Sequence, residues 1–171
     1  EDILTMTAEA IDAAKSHGTE NIGVNAEDAS RTDTDFLLRF ASVAKEHGAD
    51  RFRYCDTLGY DNPFTIYEIG KMLAKEVGIP IEVHCHGDLG MAVANSVAGA
   101  MGIIDGGQDA YINTTVNGIG ERAGNADLVA VVLAFKKSKG LAGKYKFGIP
   151  IRLSKAWKIS KYASYAFDVP I

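Results

Sequence analysis

Ile79-Pro80-Ile81-Glu82-Val83-His84-Cys85-His86-Gly87-Asp88-Leu89-Gly90 is the stretch on which the fold of this chain turns. Its first part is apolar and β-branched, which predicts a strand over residues 79–86, and along a strand residues i and i+2 project to the same side. His84 and His86 then face one point in space. Two neutral imidazoles on one rigid element make half a site for a divalent cation, the rest of whose shell oxygens can complete. So short a pattern also arises from two unrelated surface histidines, and the surrounding sequence has to decide between them.

Around this stretch runs a repeat. Lys15-Ser16-His17-Gly18, Lys45-Glu46-His47-Gly48 and Lys75-Glu76-Val77-Gly78 place glycines 30 residues apart; a further step of about that size falls at Gly106-Gly107, and Lys137-Ser138-Lys139-Gly140 closes the series. Each is a helix stop, with cations at the negative end of the helix dipole and glycine in the left-handed position just beyond. That role accounts for His17 and His47 without further chemistry. Between the stops, strands are expected at residues 22–26, 51–56, 79–86 and 110–116. Helices are expected at 33–46, 64–77, 92–101 and 126–138, behind a first helix at 2–15.

Four strands each followed by a helix pair in parallel through right-handed crossovers, as a small open sheet or as half of an eight-stranded barrel. Polar residues gather at every carboxyl end: Asn25-Ala26-Glu27-Asp28, Asp56-Thr57-Leu58-Gly59, His84-Cys85-His86 and Thr115-Val116-Asn117-Gly118. A site fed by successive strands is barrel-like. The expected fold is therefore α/β, half of a (β/α)8 TIM barrel, four parallel βα units with a preceding helix over residues 1–141. Residues 142–171 read as a linker and the first helix of a following subdomain. Its Leu153, Trp157, Ala163 and Phe167 share one face and Lys155, Lys158 and Lys161 lie off it, the pattern of a packing surface.

A length of 171 residues with 47% hydrophobic content supports one globular unit with a real core. The net charge of −4 and basic residues that read as scattered argue against nucleic acid as a partner. No signal peptide or apolar run of membrane length is visible, so the cytoplasm is the expected location. Cys55 and Cys85 lack disulfide spacing and read as small buried thiols in a reducing compartment. The chain opens inside a helix without a methionine and closes just after another, which reads as cut at both ends.

Four motifs then occur in order: Glu27-Asp28-Ala29-Ser30-Arg31; Asp56-Thr57-Leu58-Gly59-Tyr60; His84-Cys85-His86-Gly87-Asp88-Leu89-Gly90-Met91-Ala92; and Asn117-Gly118-Ile119-Gly120-Glu121-Arg122-Ala123-Gly124-Asn125-Ala126. Together they resemble the homocitrate synthase and 2-isopropylmalate synthase group of metal-dependent Claisen-condensing TIM barrels, over about residues 22–140. The resemblance implies that His84 and His86 bind a divalent metal (Mg, Mn or Zn), with Asn125 a further ligand. The competing role of Asn125 is N-cap of the helix from Ala126. The metal would chelate a 2-oxo acid and polarise its ketone for attack by the enolate of acetyl-CoA, with hydrolysis then releasing CoA. Thr57 corresponds to a threonine that hydrogen-bonds the oxo-acid carboxylate, and Glu27 to an acidic residue facing the pocket, where an ion pair with Arg31 is its competing role. Asn25 on the same strand is a third substrate-binding candidate.

The motif wording leans toward the homocitrate synthases of nitrogen fixation, and so to an acyltransferase condensing acetyl-CoA with 2-oxoglutarate. 2-Isopropylmalate and citramalate synthases are alternatives, as is a non-catalytic structural or regulatory half-barrel. A lyase of the related hydroxymethylglutaryl-CoA group is disfavoured by the Gly-Glu-Arg-Ala-Gly-Asn loop and the lack of a cysteine-bearing loop after the last strand.

Departures from the resemblance are specific. Gly87 stands where the family has Asp or Asn, Gly23 where lysine-pathway homocitrate synthases have arginine, and residues 101–108 are longer than expected. Gly118-Ile119-Gly120 with Gly124 misses the dinucleotide fingerprint by one residue, leaving a tight strand-to-helix loop that could also line an acyl-CoA site. The family's first-strand arginine and acidic ligand, and its catalytic base, have no counterpart, so the catalytic residues are unknown. Set against the family, this piece is then the carboxyl-terminal half of the barrel, strands 5 to 8; it should hold metal weakly and leave two open sheet edges, completed by an amino-terminal half-barrel chain or by self-pairing. A literal 30-residue overlay puts Glu27 and Thr57 level with Gly87, so the strands must differ in register by one if these side chains share a pocket with His86.

Overall fold

Four strands lie parallel in chain order in the computed structural model, which describes residues 2–171: β1 (Gly23–Ala26), β2 (Arg51–Asp56), β3 (Ile81–Cys85) and β4 (Ala110–Asn113). Helix α1 (Asp2–Ser16) precedes them, and α2 (Thr34–Glu46), α3 (Pro63–Val77), α4 (Ala92–Asp105) and α5 (Leu128–Lys137) follow each strand in turn. An unbroken 1-2-3-4 order is the winding of a (β/α)8 barrel; a doubly wound sheet reverses its strand order partway. The chain is thus part of such a barrel, with β1 and β4 each paired on one side only.

Local chemistry sets the helix ends. Asp33 accepts from the Phe36 amide at 3.1 Å, and Asn62 caps α3 through a capping box with Thr65, with Pro63 in the first turn. The stop glycines Gly18, Gly48, Gly78 and Gly140 all take positive φ, and the fourth step falls on Gly107. β3 and β4 are shorter than expected because the residues beyond them pair elsewhere: His86 bridges Asn125 and Thr115 bridges Asp127. The extra length near residue 101 is further helix, since α4 continues to Asp105. Asp127, accepting from the Ala130 amide at 2.8 Å, caps α5, so Asn125 is not a helix cap.

On the outer face of the sheet, Phe52, Ile81, Val83 and Cys85 are sealed against helical residues such as Leu37, Ile66, Leu73 and Ile103. Burial of one such large side chain is worth about 1.5–3 kcal/mol. α3 and α4 meet almost backbone to backbone along a glycine seam. A Cβ on Gly102 would lie 2.1 Å from the Tyr67 carbonyl oxygen, and one on Gly106 would lie 2.5 Å from that of Lys71.

The inner face carries Asn25, Arg51, Arg53, Cys55, Glu82, His84, Tyr111 and Asn113. Asn25 pairs with Arg53, Arg53 with Glu82 and Glu82 with Tyr111, steps of 28, 29 and 29 residues instead of the 30-residue repeat. Cys55, His84 and Asn113 form the next row. The ladder runs one step further, the His86 amide donating to the Asp56 carbonyl at 3.2 Å, so Thr57 follows beside His86. The one-residue difference expected from the sequence is present between β2 and β3, whereas β1 and β2 differ by two, which puts Glu27 level with Cys55 and His84 and not with His86.

Beyond α5, Tyr145 and Phe147 pack edge-on against Phe135, with ring centroids at 5.5 and 6.1 Å. The last helix, α6 (Ala156–Phe167), buries only Ala163, while Trp157 and Phe167 stay exposed, so the stripe expected to be packed is largely open. Nine of the eighteen Lys and Arg residues fall between Lys136 and Lys161, where no acid stands, so the basic charge is concentrated rather than scattered. No helix among the described residues is long and apolar enough to cross a membrane.

Candidate functional site

The inner-face polar groups form one connected chain that climbs toward the carboxyl ends of the strands. Glu82, with its side chain 7% exposed, receives Arg51 Nε at 2.7 Å and Arg53 Nε at 2.8 Å. Asn113 Nδ2 donates to the same carboxylate at 3.0 Å, and Asn113 Oδ1 lies 2.9 Å from His84 Nδ1. His84 Nε2 faces His86 Nε2 at 3.0 Å, the two rings standing edge to face, and Asn125 Nδ2 approaches His84 Nε2 at 3.5 Å. The expected convergence of the two imidazoles is thus present, and Asn125 joins them from the loop after β4.

That loop is shaped around Asn125. A Cβ on Gly120 would fall 1.7 Å from Asn125 Oδ1, and Gly124, at φ +86°, lies with its α-carbon hard against the Gly118 carbonyl. Gly87 has a reason of the same kind: a Cβ there would meet the Ala123 carbonyl oxygen at 3.0 Å, so the residue type usual in the family would crowd the loop. The glycines build a tight strand-to-helix loop.

Thr57 and Glu27 are brought together. Thr57 Oγ1 donates to Glu27 Oε1 at 3.0 Å and accepts from the Asp28 amide at 2.9 Å. The competing ion pair of Glu27 with Arg31 is replaced by a bidentate pair of Arg31 with Asp28, at 2.9 and 2.5 Å. Asn25 sits one row deeper, level with Arg53 and Glu82, and is not gathered with the others. Arg122, in the left-handed region at φ +56°, clamps the rim: it holds Asp88 at 2.8 and 2.9 Å and donates to the Thr57 carbonyl. The Arg122 guanidinium keeps the Asp88 carboxyl below its ordinary range.

Behind the strands, a second polar cluster shapes the loop that carries Thr57. Asp56, sealed from solvent, accepts from the Tyr60 and Asp61 amides and from Asn95 Nδ2. Tyr54 and Thr65 donate to the Asp61 carboxylate, both at 2.7 Å. Burial raises the Asp61 carboxyl and pushes the Cys55 thiol up to about 12, so the thiol is inert at neutral pH. Both cysteines are free and buried, as expected.

Burial, then the neighbouring His84 and Arg122, holds His86 below the usual histidine range and favours the neutral ring that a cation needs. The donor set fits part of a divalent-cation shell: two facing ring nitrogens with a buried, unpartnered His86 Nδ1 behind them, and the Asn125 amide, which presents Nδ2 here and would have to turn to offer its oxygen. Among the described residues no group of three or more His, Cys, Asp or Glu could hold a metal, so these residues offer no complete carboxylate-rich cage. Sequence reasoning missed Glu82, Asn113, Asp56 and Asn95 and quoted Arg122 without a role. One signal was available, for Asn113 lies 29 residues after His84, one inter-strand step away.

Residues 1–162 match the HMGL-like family. The chain is 66% identical over 170 residues to the citrate (Re)-synthase of Dehalococcoides mccartyi (strain CBDB1), covering 99% of this chain and 41% of that protein. It is 51% identical over 120 residues to homocitrate synthase 1 of Nostoc sp. (strain PCC 7120 / SAG 25.82 / UTEX 2576), covering 70% of this chain and 30% of that one. Among solved structures, the carboxyl transferase domain of Rhizobium etli pyruvate carboxylase with pyruvate superposes with a TM-score of 0.71 at 18% identity, over 95% of this chain and 27% of that one. The chain therefore spans about two fifths of the length of the first of these relatives.

Proposed function

The chain belongs to the HMGL-like family, and on that premise we propose that it supplies the carboxyl-terminal half of an acyltransferase condensing acetyl-CoA with a 2-oxo acid. Relatives named as citrate and homocitrate synthases support the reaction class. The observation that carries the reading is the convergence of His84 and His86 through Nε2 atoms 3.0 Å apart at the strand mouth. The 66% identical relative is named for citrate, which favours oxaloacetate, the 2-oxo acid that citrate contains, over the 2-oxoglutarate suggested by the motifs.

In this reading His84, His86 and Asn125 hold a divalent metal (Mg, Mn or Zn), which when bound acts as a Lewis acid toward the ketone. Thr57 Oγ1 turns from Glu27 to the oxo-acid carboxylate, and Glu27 lines the pocket beside it. Asn25 serves from deeper in the barrel. Arg122 keeps the Thr57 backbone in place through its carbonyl. An amino-terminal half-barrel supplies the missing strands, an acidic ligand and the base; the open edges of β1 and β4 and the greater length of the relatives support that partner. Residues 142–171 begin a subdomain beyond the barrel. Free, buried cysteines fit a reducing cytoplasm.

The test is CoA release from acetyl-CoA with oxaloacetate, 2-oxoglutarate, 2-oxoisovalerate or pyruvate, using this chain mixed with a matching amino-terminal half-barrel. Oxaloacetate should turn over best, and only with both pieces and a divalent metal present. No gain over either piece alone would overturn the reading.

A further inference from the structure

We propose that Asn113 is a positioning residue, fixing which ring nitrogen of His84 carries the proton. The inference deepens the metal-site reading and rests on it only for its consequence. Glu82 can only accept hydrogen bonds, and its carboxylate is pinned by Arg51 and Arg53 at 2.7 and 2.8 Å. The amide group 3.0 Å away must therefore turn its NH2 toward Glu82, which leaves Asn113 Oδ1 facing His84 Nδ1 at 2.9 Å. An acceptor there requires a proton on Nδ1, and a neutral imidazole has only one. The lone pair is thus set on Nε2, the nitrogen turned toward His86 and Asn125.

A consequence follows for the second ring. With His84 Nε2 an acceptor, the 3.0 Å contact is a hydrogen bond only if His86 Nε2 donates. The two imidazoles are therefore in opposite tautomers in the metal-free chain: His84 is already set as a ligand, whereas His86 must give up its Nε2 proton before it can bind through that atom. Two guanidiniums on the neighbouring strand, acting through Glu82 and one amide, thus set the state of the His84 ring, and hydrogen-bonded partners of this kind typically affect metal affinity about 10–100-fold.

The test is a ring nitrogen–proton correlation spectrum of the metal-free 171-residue chain labelled at histidine, at neutral to mildly alkaline pH, with His84 and His86 assigned through His→Gln variants. The expected result is Nδ1–H on His84 and Nε2–H on His86, retained on His84 in Asn113→Asp, which keeps an acceptor, and lost in Asn113→Leu. A zinc titration should show Asn113→Leu weaker by about 10–100-fold. Wild-type His84 protonated on Nε2, or a tautomer unmoved in Asn113→Leu, overturns the relay whatever zinc does. The expected tautomers without zinc binding by the wild type would uphold the relay and sink the metal reading instead.

Discussion

On the side of the sheet turned to the helices, Phe52, Ile81 and Val83 are closed to solvent; one residue along the same strands, Arg51 and Arg53 keep 38% and 27% of their side chains exposed. The first surface is held by apolar area removed from water, the second by charge pairs and hydrogen bonds around Glu82. Period-2 alternation separates them, so each strand residue belongs wholly to one regime. The outer face is packed within these residues, whereas the inner one carries polar groups that stay partly open to solvent.

The largest expected effect is on the outer face. Leu73→Ala or Phe52→Ala should lower unfolding free energy by about 3–5 kcal/mol in urea titrations, while Tyr111→Ala on the inner face should cost under about 0.5 kcal/mol. An equal loss at Tyr111 would break the comparison by showing that the inner face is covered in solution. Gly102→Ala should come next, at about 1–3 kcal/mol, because its methyl would lie 2.1 Å from the Tyr67 carbonyl oxygen, which as backbone cannot turn aside. Glu82→Gln should cost about 2 kcal/mol, below the usual penalty for breaking a buried pair because both arginines reach solvent.

The smallest effect is a pH slope. His86 is protonated in the unfolded chain near its ordinary value of 6.5 but only at lower pH in the folded chain. Below 6.5 the unfolded state therefore binds more protons, and stability should fall as pH drops until the folded ring also titrates. Urea midpoints at pH 7.5 and 5.5 should diverge for the wild type and draw closer in His86→Gln.

Much of the outer architecture is local and could be read directly. β2 occupies the expected residues, and the Lys-x-x-Gly stops work because dipole and left-handed glycine act within one turn. The inner face was harder, since register is a pairwise property: steps of 28, 29 and 29 residues are invisible to a 30-residue repeat. Glu27 shows the same limit. Its nearest cation in sequence, Arg31, is taken by Asp28, and its partner Thr57 comes from the next strand. His84 and His86 were legible because both lie on one strand; Asn113, which completes their row, lies on another.

The glycine seam between α3 and α4 has a mechanical corollary. With carbonyls resting on α-carbons at Gly70, Gly102 and Gly106, the two helices behave as a single beam. The loops bearing Thr57 and His86 hang from adjoining ends of that beam, so altering their span means bending peptide planes instead of turning rotamers. The side chains on those loops can be changed by mutation, but the distance between the loops is set by the joinery behind them.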